Sequence, residues 1–164
     1  MAKPSMRVLV VDDFEPFRRP LCLRLRDKLE SATIVEALDG LEAVRFAQIP
    51  HPDLILLDAG LPKLDGIEAA RRIRKLVPHT KILFVSQELS VEVVQAAFSA
   101  DASGYVAKMD VGDEVTTAVE AVLRGERFVG SRFSGHGFTA ASDAQNPGRS
   151  AGDKELSCLC NREP

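Results

Sequence analysis

Residues 53–62 read Asp-Leu-Ile-Leu-Leu-Asp-Ala-Gly-Leu-Pro. Leu54, Ile55, Leu56 and Leu57 form an unbroken apolar run that stops at a carboxylate. A run this short, bounded by turn residues, predicts a strand buried on both faces, as in a parallel sheet. The Pro-Lys-Leu-Asp-Gly turn over 62–66 prevents the element from continuing. Asp58 then falls at the C-terminal tip of a central strand, where open α/β sheets place their ligands. A carboxylate that merely begins a loop would look the same in isolation, so the remainder of the chain has to decide.

The same unit recurs along the chain. Residues 6–11 are β-branched and apolar and predict a first strand, which ends at Asp12-Asp13. Over 14–30, Phe14, Phe17, Leu21, Leu25 and Leu29 recur at helical spacing. Pro16 suits the first turn of that helix. Pro20 does not suit an interior position, so a late or kinked start is expected. Strands are further predicted over 32–37, 81–85 and 104–107, and helices over 41–48, 66–77, 90–100 and 112–124. In the third helix Ile67, Ala70, Ile73 and Leu76 should face inward. Five β-α units with short connections imply a doubly wound parallel sheet with helices on both faces. From residue 131 the chain turns rich in Gly and Ser, with Phe133, Phe138, Leu156 and Leu159 as its large apolar residues. Residues 1–130 are therefore expected to fold, and 131–164 to form a mostly disordered tail without a DNA-binding domain.

Composition narrows the function classes. Apolar content of 45%, charged content of 27% and a net charge of −3 are those of an ordinary globular protein without a basic nucleic-acid footprint. No apolar run approaches the roughly 20 residues of a membrane span. The first residues hold no apolar leader, and three cysteines fit a reducing, cytoplasmic setting. Cys22 reads as a small core residue, and Cys158-Leu-Cys160 lacks the spacing of a metal or redox pair. There is no GxGxxG after the first strand, no GxxxxGK[ST] loop and no GxSxG elbow.

The polar candidates all fall at predicted strand ends. Asp12 and Asp13 follow the first strand, Asp58 the third, Ser86 the fourth and Lys108 the fifth. In a parallel sheet these ends share one edge. Three converging carboxylates repel one another and call for a cation; all-oxygen ligation is Mg²⁺ chemistry. Lys108 as a point charge and Ser86 as a hydroxyl donor complete a site for a phosphoryl group, with Asp58 as its nucleophile. Each piece also has a plainer reading: Asp12-Asp13 as a helix-capping turn, Ser86 as a cap, Lys108 as a solvated turn residue, Tyr105 as core. The weight lies in four coincidences at matching positions.

These motifs are Val-Val-Asp12-Asp13, Asp58-x-x-x-Pro62, Asp65-Gly66, Ser86 and Gly104-Tyr105-Val106-Ala107-Lys108. Over about 6–128 the chain resembles the receiver domain of bacterial two-component response regulators, the NarL/FixJ type most of all. The resemblance implies an α/β, flavodoxin-like fold whose five parallel strands run in the order 2-1-3-4-5. It implies phosphorylation of Asp58 by a sensor histidine kinase or phosphotransfer protein. Mg²⁺ would be held by Asp13 and Asp58, by Asp12 through water, and by a backbone carbonyl at Gly60. Ser86 and Lys108 would bind the phosphoryl oxygens, with Ser86 and Tyr105 as the switch pair. The expected partner or homodimer surface is the face of the fourth helix, fifth strand and fifth helix, or that of the first and fifth helices. Three residues depart from the family pattern: Ser86 for the commoner Thr, Gln87 where a small residue is usual, and Gly60 with no side chain.

The reading at this stage is a phosphoacceptor receiver module of a phosphorelay rather than a metabolic enzyme, binding no nucleic acid or membrane by this chain alone. One alternative is the receiver piece of a NarL/FixJ-type transcription factor. Another is a Mg²⁺-dependent phosphohydrolase with an Asp nucleophile; its usual second carboxylate would stand at Gly60.

Overall fold

The computed structural model describes residues 5–49 and 51–138. Six strands form one parallel sheet: β1 Arg7–Val11, β2 Thr33–Ala37, β3 Leu54–Leu57, β4 Lys81–Ser86, β5 Gly104–Ala107 and β6 Phe128–Val129. Five helices connect them: α1 Glu15–Lys28, α2 Gly40–Gln48, α3 Gly66–Leu76, α4 Val91–Ser99 and α5 Val111–Leu123. The strand order is 2-1-3-4-5-6. The expected order 2-1-3-4-5 is present, but the count of five is corrected to six. The sixth strand is two residues long and too short to carry an alternation pattern, so only its pairing with β5 reveals it.

Alternation along the strands sorts side chains into two cores. Leu9, Val11, Ile55, Leu57, Ile82, Phe84 and Tyr105 point to the face covered by α2, α3 and α4. Val8, Val10, Leu54, Leu56, Leu83, Val85 and Val106 point to the face covered by α1 and α5. Every residue of β3 is buried, which is why it reads as an unbroken apolar run. Three helices start on side-chain caps: Asp39 accepts from Glu42 N, Asp65 from Glu68 N and Ser90 from Val93 N.

Local expectations are corrected at four places. The helix α1 starts at Glu15 and runs through Pro20 as one element. In the second turn a proline removes one backbone bond, and Leu21, Cys22 and Leu25 are buried just beyond it. Phe14 precedes the helix and is exposed rather than inward, and Leu76 at the end of α3 is half-exposed. The folded region does not stop at 130. A 3-10 turn, Ser131–Phe133, follows β6, and Phe133 is 2% exposed, inside the core. The Phe133 ring joins the core, and Ser131 N and the Arg132 guanidinium bond to Glu114 and Asp110 beside it. The expected tail beyond Phe138, with Cys158 and Cys160, lies outside the described residues.

Candidate functional site

Asp12, Asp13, Asp58, Ser86 and Lys108 do share one edge of the sheet, because β1, β3, β4 and β5 run parallel and end side by side. One carboxylate oxygen each from Asp12, Asp13 and Asp58 lies within 4.8 Å of the others. Asp12 and Asp58 are buried, whereas Asp13 is exposed. Lys108 Nζ reaches into the cluster, 2.6 Å from Asp12 Oδ2 and 2.9 Å from Asp58 Oδ2. Burial works against the Lys108 charge, yet its hydrogen bonds to Asp12 and Asp58 prevail and raise its pKa. Burial pushes the Asp12 carboxyl up despite Lys108 and the Phe14 amide. One cation for three carboxylates leaves the cluster rich in oxygen donors and short of positive charge.

Backbone contacts aim the side chains. Asp58 Oδ1 accepts from Gly60 N at 3.1 Å, which leaves Oδ2 to Lys108. Asp12 Oδ1 accepts from Phe14 N at 2.8 Å. Gly60 has open space where a Cβ would stand, so the approach to Asp58 on that side is unobstructed. Gly66 is the opposite case. A Cβ there would stand 1.9 Å from the Asp58 carbonyl, so the Asp65-Gly66 turn can pack against the strand end only with glycine. Ser86 is fully buried, and its Oγ accepts from Glu88 N at 3.2 Å. Tyr105 is fully buried and donates to Glu88 O at 2.8 Å. Burial pushes its hydroxyl pKa up to about 12.

Three residues that pattern reading passed over belong to the site's support. The Arg18 guanidinium donates to Asp12 O at 2.8 Å and pairs with Glu36, fixing the turn after β1. The Phe17 ring lies under the Lys108 ammonium, 4.7 Å from ring centre to nitrogen. Both follow from helical spacing after the Asp pair, but a periodicity argument assigns one to solvent and the other to the core. Phe133, packed edge-on against Tyr105, left no signal among the glycines and serines around it.

Residues 8–120 match the response regulator receiver domain. The chain belongs to the response regulator receiver family. This receiver is 31% identical to the transcriptional activator protein ExaE of Pseudomonas putida, over 96% of this chain and 72% of that protein. Among solved structures it is similar to a two-component response regulator of the LuxR family from Aurantimonas sp. SI85-9A1. The TM-score there is 0.69 at 35% identity, over 76% of this chain and 89% of the other. It is also similar to the receiver domain of the putative response regulator NarL from Mycobacterium tuberculosis. That TM-score is 0.68 at 30% identity, over 75% and 99% of the two chains. The receiver spans 57–75% of the length of the first curated relatives it matches. The family is one of signalling proteins rather than metabolic enzymes, and the relatives are of the NarL/LuxR type. Among the described residues no helix is long and apolar enough to cross a membrane.

Proposed function

We propose that this receiver accepts a phosphoryl group on Asp58 with Mg²⁺ and passes the change to a partner surface through Ser86 and Tyr105. The observation that carries the reading is the Asp58 carboxylate: one oxygen held by Gly60 N, the other by Lys108, beside two further carboxylates. The oxygen set suits a hard divalent cation, which Asp12, Asp13 and Asp58 would hold, with the Gly60 carbonyl as a further donor. When bound, Mg²⁺ supplies positive charge to phosphoryl oxygens. The chain's own residues do the rest. Asp58 is the nucleophile: its carboxylate oxygen bonds to phosphorus while the bond to the donor breaks and the donor leaves with the electron pair. Lys108, already in the cluster, neutralises a phosphoryl oxygen, and the Ser86 hydroxyl donates to another. The donor class is a phosphohistidine of a sensor kinase or of a phosphotransfer protein.

A second reading, the receiver part of a transcription regulator, is favoured by the relatives that carry that description and exceed this chain in length. The chemistry at Asp58 is the same in both. With Mg²⁺ and acetyl phosphate, intact-mass analysis should show one added phosphoryl group in the wild type and none in Asp58→Asn. Equal labelling of that variant would remove Asp58 from its role. Asp13→Ala should weaken both Mg²⁺ binding, read by titration calorimetry, and labelling; an unchanged affinity would leave Asp13 only in its turn.

A further inference from the structure

The loop between β3 and α3 follows Asp58 directly and contains a backbone conformation that lysine rarely adopts. Leu64 N donates to Pro62 O at 2.7 Å, and Lys63 between them has φ 65°. A three-residue turn with a positive φ at its centre is the rare, strained kind, and lysine lacks the freedom that glycine has there. Such strain persists only where the surroundings over-determine it. Here the surroundings are the corner between β2 and α2. Lys63 Nζ lies 3.2 Å from Asp39 Oδ2, on a side chain that is 6% exposed. Asp39 is itself fixed, its Oδ1 accepting from Glu42 N at the start of α2. Gly40 closes the same corner: a Cβ on it would stand 1.9 Å from Leu64 O, so only glycine lets the loop lie where it does. At its other end the loop is tied to the site, with Gly66 N donating to Ala59 O at 2.9 Å.

We propose that Lys63 and Asp39 are positioning residues for the site at Asp58: their ion pair holds the loop closed at the end of β3 and so keeps Gly60 in place beside Asp58. The inference rests on the phosphoacceptor reading above, which gives Mg²⁺ the Asp58 carboxylate and the Gly60 carbonyl. Neither residue belongs to the cluster of Asp12, Asp13 and Asp58; both act through the backbone of the loop. That backbone is braced at two points where a Cβ has no room, Gly66 on the Asp58 carbonyl and Gly40 on the Leu64 carbonyl. Lys63 lies between the two braces. An ion pair with one exposed partner contributes little to overall stability, so its weight here is conformational. Released from Asp39, Lys63 can relax to a negative φ, and the loop moves with it. Asp39 makes the pairing one-sided: a buried carboxylate needs a partner charge, and Lys63 is the cation that reaches it. By linkage, a loop that favours the bound cation is tightened by that cation to the same degree.

The test uses the full chain and Mg²⁺ alone, with affinity read by titration calorimetry. Lys63→Ala deletes the pair and keeps a residue to which positive φ is costly. Its Mg²⁺ affinity should fall about fivefold, the low end of coupling between sites. Coulomb's law alone gives the opposite sign, since removing a positive charge near a cation site raises affinity. In the metal-free protein, hydrogen exchange at the Leu64 and Gly66 amides, both bonded to loop carbonyls, should quicken by a similar factor. Asp39→Asn keeps the helix cap and loses the charge; it should weaken binding too, and the double variant no further than either alone. Lys63→Gly deletes the same pair but takes positive φ freely, so its affinity should stay within about twofold of the wild type. The Lys63 variants change an exposed side chain and carry the test if Asp39→Asn does not fold. A Lys63→Ala affinity equal to or above that of the wild type would overturn the inference, and so would equal losses in the Ala and Gly variants. Wild-type protein that binds no Mg²⁺, or binds it as well after Asp58→Asn, would defeat the phosphoacceptor reading instead.

Discussion

Asp12 shows what the site costs the fold. Its carboxyl is 2% exposed and its pKa is raised by burial above the ordinary 3.8. A group whose pKa is raised on folding favours the folded state only while protonated. That contribution is present below the unfolded value and is lost as pH rises through the folded one. At neutral pH the buried Asp12 carboxylate therefore works against folding, with Lys108 as a partial remedy. Asp12→Asn should raise the melting temperature at pH 7 without metal by roughly 2–4 °C, the equivalent of about 1 kcal/mol at this size. The gap should close as the pH falls below about 4. Added Mg²⁺ should stabilise the wild type more than the variant. Melting curves across pH, with and without Mg²⁺, test all three; a variant less stable at pH 7 would mean that Asp12 is a structural ion-pair partner first.

At the scale of elements, the informative pieces are those that break a local rule. The helix α1 tolerates Pro20 because the residues just beyond it bury a full turn of side chains. The segment after α5 lacks an apolar pattern, yet Phe133 is in the core and Phe138 packs against it. Truncation after Gly130 is accordingly a loss of core and not the removal of a tail. Burying a phenylalanine side chain is worth about 1.5–3 kcal/mol, and each kcal/mol is roughly 2–4 °C at this size. A chain ending at Gly130 should melt about 5 °C or more below the full chain. A melting temperature unchanged within about 2 °C would show that Phe133 contributes nothing in solution.

Across the whole molecule, one sheet carries both the candidate site and the face formed by α4, β5 and α5. Asp12, Asp58, Ser86 and Lys108 come from four different strand ends, so no two of them can separate without disturbing the sheet between them. A ligand gripping all of them should stabilise the domain as a single unit. Mg²⁺ with beryllofluoride at a hundred times its dissociation constant should add about 2.7 kcal/mol. One melting transition should move upward, by roughly 5–10 °C. Asp58→Asn should show no such shift. A split transition, with only part of the chain moving, would mean that the site is not shared across the strands.

Much of this receiver was legible along the chain, because its structure is local in the relevant sense. A strand buried on both faces must be an apolar run, and β3 is one. A helix against a sheet must repeat its apolar residues, and α5 does. With parallel strands, the residue after each run is placed at a common edge by topology alone, so Asp12, Asp13, Asp58, Ser86 and Lys108 could be grouped before any coordinate was known. Three things were decided only in three dimensions. Lys108 bonds to Asp12 as well as Asp58, since its length and the narrow gap between β1 and β3 bring both carboxylates within reach. Tyr105 lies wholly inside, its hydroxyl spent on Glu88 O, because Phe84 and Phe133 enclose its ring. The sixth strand and Phe133 complete the sheet and core from a stretch too short and irregular to show a period. A contact made by one side chain at long range leaves no pattern in its neighbours, and only the packed structure can say where that side chain goes.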